Sequence, residues 1–90
     1  MMHRYVKKQS CETIILDDEI MVLHPERFTI TKLSPVGGFC WSLLASAHSI
    51  DTLSAAVREQ YEGADHSVEE DVSDFLNRLL ECELIEAAHG

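Results

Sequence analysis

The spacing of hydrophobic and polar positions changes period once, close to residue 34, and divides the chain into a strand-rich first part and a helical remainder. Before that point the period is two. Glu12 to Asp17 (ETIILD) is rich in β-branched residues and sets Ile14 and Leu16 on one face of a strand. Asp17-Asp18 predicts a tight turn, because short acidic side chains tolerate and bond to turn backbone. Glu19 to His24 (EIMVLH) predicts a second strand, and His24-Pro25-Glu26-Arg27 fits a type I turn with proline at its second position. A third strand runs from Arg27 to Leu33. Its alternation offers Phe28, Ile30 and Lys32 to one face and Thr29, Thr31 and Leu33 to the other. The expected arrangement is an antiparallel meander with the third strand at an edge. Residues 1–10, polar and basic, predict a frayed or weakly pairing terminus.

Beyond Leu33 the period becomes helical. Ser34-Pro35 supplies a side-chain cap followed by proline at the first helical position. Val36, Phe39, Cys40, Leu43, Leu44 and Ala47 then recur on one face. Trp41 lies off that stripe, which suits a central helix touching neighbours on both sides. Ser49 or Asp51 is expected to cap a second helix, with a stripe of Ile50, Leu53, Val57 and Tyr61 and a stop at Gly63. Ser67-Val-Glu-Glu70 has the pattern of a capping box opening a third helix. That helix carries Val68, Val72, Phe75, Leu76, Leu79 and Leu80 on one face and Glu70, Asp74, Asn77, Arg78 and Glu81 on the other. Leu84-Ile85 is a short apolar tail able to pack back as a stub. The expectation is one α+β domain over residues 1–90 with its core at about 12–86: a three-stranded antiparallel sheet followed by three helices, like a winged helix-turn-helix.

Composition narrows the function classes. Sixteen acidic against seven basic residues give a formal charge of −9, which repels phosphate backbones and favours basic partners. A winged-helix reader of DNA presents basic residues from its recognition helix and wing. Here the third helix offers only Arg78 among carboxylates and the second only Arg58, so nucleic acid is not the expected partner. Cys11, Cys40 and Cys82 are odd in number and widely spaced, as reduced thiols in a cytosol would be. No apolar run follows the basic start as in a signal peptide, and none approaches the roughly 20 residues of a membrane helix. The expected location is the cytoplasm, with no membrane partner.

Candidate chemistry is sparse. His3, His24, His48, His66, His89 and the three cysteines form no close pair with metal-ligand spacing, so neither metal nor cofactor is expected. No cysteine, serine or histidine lies in a recognisable nucleophile context. Gly37-Gly38 is too short for a phosphate loop and better explained by an early helical turn packed against a neighbour. The acidic start of the third helix is accounted for by the helix dipole. The sequence predicts no enzyme.

Leu33-Ser-Pro-Val-Gly37-Gly38-Phe-Cys40-Trp41-Ser-Leu43-Leu44 resembles the Leu-Asn…Gly…Ile-Trp-x-Leu-Leu signature of the PqqD-like family. Ser49-Ile50-Asp51 with Leu53 and Tyr61 is similar to that family's second helix. Asp71-Val72-Ser-Asp-Phe75-Leu76-Asn-Arg-Leu79 with Leu84-Ile85-Glu86 is similar to its closing helix and end. Ser34 stands where the family usually has Asn, and Glu83 where a Gly commonly closes the last helix. The resemblance implies a non-catalytic domain that binds the leader of a ribosomally made precursor peptide and presents it to processing enzymes. The third strand would accept the leader as an added antiparallel strand, with the third helix as the other wall. The peptide-binding residues so implied are Arg27, Phe28, Thr29, Ile30, Thr31, Lys32 and Leu33 on the strand, and Val72, Phe75, Leu76 and Leu79 on the helix. A chain of this length is most similar to the stand-alone leader-binding proteins of lasso-peptide pathways. The implied partners are then the precursor leader, a separate cysteine leader peptidase and the pathway's cyclase. Strand addition agrees with the residue pattern, since an open edge provides main-chain hydrogen bonds and needs covering.

Overall fold

A computed structural model of the chain describes residues 3–61 and 67–88. Its elements follow in the order β1 (Tyr5–Lys7), β2 (Glu12–Leu16), β3 (Glu19–His24), β4 (Thr29–Leu33), α1 (Pro35–Leu43), α2 (Ile50–Gln60), α3 (Val68–Glu81) and β5 (Ile85–Ala87). The result is a mixed α+β fold. β2, β3 and β4 form the expected antiparallel meander, with β2 and β4 at its edges. Asp17 and Asp18 close the first hairpin with positive φ at both residues (50° and 66°), the left-handed backbone that a two-residue hairpin turn needs.

The second hairpin departs from the predicted alternation. Its turn occupies residues 25–28, and Phe28 lies at φ 52°, so the strand begins at Thr29 and Phe28 is not part of its face alternation. Of the two expectations for the terminus, frayed or weakly pairing, the structure has it paired. Tyr5–Lys7 pairs antiparallel with Ile85–Ala87, matching Tyr5 to Ala87 and Lys7 to Ile85. Leu84 and Ile85 are both buried, and Ile85 opens the strand. A three-residue strand whose partner lies some eighty residues away leaves almost no local signal.

α1 occupies the centre. Ser34 caps it, its hydroxyl accepting from the Gly37 N–H at 3.0 Å. A Cβ on Gly38 would overlap the Ile20 side chain, so glycine here is what lets the helix lie against β3. Cys40, Trp41 and Leu44 are buried, and Trp41 reaches across the helix to donate its indole N–H to Thr13 Oγ1 of β2 at 2.8 Å. The indole is therefore satisfied inside the core, with the Lys7 ammonium 5.4 Å from the ring centroid. Val22 and Leu33 from the sheet, Leu53 and Val57 from α2, and Val68, Val72, Leu76 and Leu79 from α3 complete the core around it.

Ser49, rather than Asp51, caps α2, in a reciprocal box with Thr52 at 2.9 and 3.2 Å. The expected stop at Gly63 lies outside the described residues. At α3 the predicted capping box does not form. Ser67 adopts helical backbone and its hydroxyl faces Asp71 Oδ2 at 3.4 Å. Glu83, in place of the usual glycine after α3, takes φ 58°.

Candidate functional site

The outer side of β4 carries no strand among the described residues. Its N-terminal end is tied down by Arg27. The guanidinium donates to the Glu81 carbonyl at 3.2 Å and pairs with the Glu83 carboxylate at 3.3 Å. A cation at the last turn of α3 satisfies an orphan carbonyl and suits the dipole. Glu83 holds the left-handed backbone of a helix stop, its N–H donating to the Leu80 carbonyl at 3.0 Å and that of Leu84 to the Leu79 carbonyl at 2.9 Å. The Arg27 N–H donates to His24 Nδ1 at 3.3 Å, which fixes the turn. Arg27, one of the residues expected to bind peptide, thus serves to lock β4 against the end of α3.

At its other end β4 runs directly into a cleft of about 640 Å³ between α1, α2 and α3. Val36, Val57, Tyr61, Val68, Val72 and Phe75 make its apolar lining, while Asp71, Asp74 and Arg78 supply its charge. Phe75 lies against α1, and a Cβ on Gly37 would come 3.1 Å from its Cε1. Cys40 also lines the cleft. Burial pushes its thiol above the ordinary range, which keeps it neutral and a poor nucleophile. Desolvation raises Cys11 as well, outweighing the opposing effect of Lys8.

The residues expected to line a peptide site separate into three groups. Phe28 (87% exposed) and Ile30 (62%), with Thr29 and Lys32, stand open on or beside the edge, Lys32 pairing with Glu19 at 3.0 Å. Thr31 and Phe75 are half-buried, and Phe75 lines the cleft. Leu33, Leu76 and Leu79 are core residues at 7%, 1% and 1% exposure, while Val72 at 4% lines the cleft. Sequence reasoning missed Asp71, Asp74 and Arg78 as lining groups. Their polar face meets Val72 and Phe75 at the boundary of the α3 stripe, and that boundary was the available signal.

Among the described residues no group of three or more His, Cys, Asp or Glu is placed to hold a metal ion. No helix there is long and apolar enough to cross a membrane. The candidate site is a strand edge continued by an apolar cleft, a shape that suits an extended peptide. The family model described as "Coenzyme PQQ synthesis protein D (PqqD)" matches residues 19–85, and the chain belongs to this family. It is similar to TbiB1, solved in complex with the TbiA(beta) leader peptide: 29% identity, TM-score 0.79, over 94% of this chain and 99% of that one. It also shares the fold of a lasso peptide synthetase B1 solved with its leader peptide, at 15% identity and TM-score 0.77, over 91% and 96% of the two chains. A search of curated proteins found no match.

Proposed function

We propose that this chain binds the leader of a ribosomally made precursor peptide as an antiparallel strand added to β4, with the cleft beside α3 receiving leader side chains. It then presents the peptide to a cysteine leader peptidase and a cyclase of a lasso-peptide pathway in the cytoplasm, without catalysing a step itself. The observation that carries the reading is the continuity of a β4 edge, without a second neighbouring strand among the described residues, with an apolar cleft at Ser34 and Val36. Two solved relatives of the same fold, TbiB1 among them, hold leader peptides. In this reading the hairpin β3–β4 and the helices form a winged-helix-turn-helix-like unit adapted to peptide. Asp71 and Asp74 beside the cleft and the −9 charge argue against nucleic acid in that place.

The test uses adjacent prolines. Successive residues of an edge strand point their N–H groups alternately toward the neighbouring strand and toward solvent. Ile30→Pro and Thr31→Pro therefore remove one inward and one outward donor. Thr29 is avoided because a proline there would conflict with the left-handed Phe28 before it. The variant that keeps its fold by circular dichroism is expected to lose at least tenfold in affinity for the leader half of the precursor encoded in the same gene neighbourhood. Unchanged affinity in a folded variant of each parity sinks the reading.

A further inference from the structure

The direction of α3 relative to β4 gives the cleft an order in which to read a peptide. Arg27, just before β4, contacts Glu81 and Glu83 at the C-terminal end of α3. Gly37, just after β4, lies against Phe75 nearer the helix start. α3 and β4 are thus antiparallel, and a strand added antiparallel to β4 runs in the same direction as α3. The upstream part of such a peptide passes Asp71 and Asp74, and the part that follows passes Arg78.

Of the charges along this wall, Asp71 accepts a hydrogen bond from the Ser67 hydroxyl at 3.4 Å. Asp71, Asp74 and Arg78 line the cleft and none makes an ion pair with another described residue. The positive end of the α3 dipole is worth only about half a charge. Glu70 and Asp71 in the first turn outweigh it, even with Glu69 taken up by Arg58 at 2.9 Å. Asp71 and Asp74 precede Arg78 by seven and four residues, about 10 and 6 Å along a helix. An extended peptide covers those distances in about three and two residues.

We propose, resting on the leader-binding reading above, that Asp71, Asp74 and Arg78 are specificity-determining residues. They select a leader segment with a Lys or Arg beside a large apolar side chain, followed two or three residues later by an Asp or Glu. The apolar side chain seats against Val36, Val72 and Phe75, and the two charges fix the direction of the strand.

A displayed library of random 12-residue peptides, panned on the full chain at low salt, tests this with no natural leader required. The enriched peptides are expected to share an apolar residue next to Lys or Arg, with the acid downstream. Against such a peptide, the Asp71→Asn/Asp74→Asn double variant should bind about fivefold more weakly, a size suited to two solvent-exposed charge pairs. Glu70→Gln, on the same helix turn but outside the cleft, should bind it as the parent does. Melting curves of both variants establish that the fold is kept. Enriched peptides without charge preference, an acid-first order, or equal losses in Glu70→Gln overturn the proposal. If those peptides still fail to bind the folded β4 proline variant, the strand-addition reading survives and only the charge order is lost. If no peptide is enriched, both fall.

Discussion

The three-stranded sheet has two free edges among the described residues, and they are equipped very differently. β2 ends in an exposed pair, Ile15 and Leu16, and is bracketed by Glu12 and the turn acids Asp17 and Asp18. Clustered carboxylates discourage another copy from pairing there. Its attachment is inward, through the bond from Trp41 to Thr13. β4 is instead held at its ends, by the Arg27 clamp at one and by the Ser34 cap of α1 at the other, with its outer side left clear. β4 continues into the apolar cleft of about 640 Å³, whereas the Cys11 end of β2 meets a smaller pocket of about 250 Å³ beside Lys7, Lys8 and Glu86. Both edges provide main-chain donors and acceptors, which bind any extended chain alike. In strand addition, side-chain pockets beside such an edge are what supply selectivity.

The largest expected effect separates wall from core. Leu76→Ala should cost about 2–5 kcal/mol of stability, as for a fully buried leucine. Phe75→Ala, one residue away but half-exposed in the cleft, should cost less than Leu76→Ala and lower leader affinity in a protein that remains folded. Chemical denaturation and a binding titration on both variants check the pair. A Phe75 variant as unstable as the Leu76 one would remove the distinction between cleft and core.

Prolines on the two edges give the next effect. Ile14→Pro and Ile15→Pro sample both parities of β2, and the one that stays folded should bind leader within twofold of the parent. The corresponding β4 variant is expected to lose tenfold or more. Equal losses on both edges would mean that β4 is not the docking strand. Arg27→Ala should be milder, about 1 kcal/mol or less, because both partners of its ion pair are substantially exposed and screened. Its loss should show at the β4 end of the sheet as faster amide exchange in residues 24–29, with β2 amides unchanged.

The smallest effect is in the thiols, one beside each edge. Cys11 and Cys40 both have thiols raised by burial. A folded value above the unfolded one, near 8.5 for a free thiol, favours the folded state below that pH. That contribution is lost as pH climbs through the folded value, so melting temperature should decline under alkaline conditions and decline less in Cys40→Ala. Bound leader should slow alkylation of Cys40, which lines the cleft, and leave Cys11 as reactive as before. Equal protection of the two would place the ligand elsewhere.

Much of the fold was legible because its signals are local. Alternation marked β2, β3 and β4, the Ser34-Pro35 start fixed α1, and the apolar stripes of α2 and α3 supplied Leu53, Val57, Val68, Val72, Leu76 and Leu79 to the core. Non-local features were not legible. β1 depends on β5 at the far end of the chain, and Phe28 leaves the strand because the Arg27 clamp and the His24 bond set its turn. Which α3 residues face solvent across the cleft depends on the angle of α3 to α1. Periodicity therefore assigned Leu76 and Leu79 to the same stripe as Phe75. Only the close approach of Phe75 to Gly37 separates them.

The pairing of β1 with β5 has a consequence for how the unit can be carried. Ala88 donates its N–H to the Arg4 carbonyl at 2.8 Å, and Tyr5 stands opposite Ala87, so the first and last strands lie side by side. A host protein could receive the whole unit at a single surface loop, because the two junctions would be about one strand spacing apart, ~5 Å. Neither host nor guest would need to stretch. The β4 edge and its cleft belong to the other sheet and to the helices, so such a graft would leave them uncovered. The two ends of the unit and the β4 edge thus lie on separate sheets.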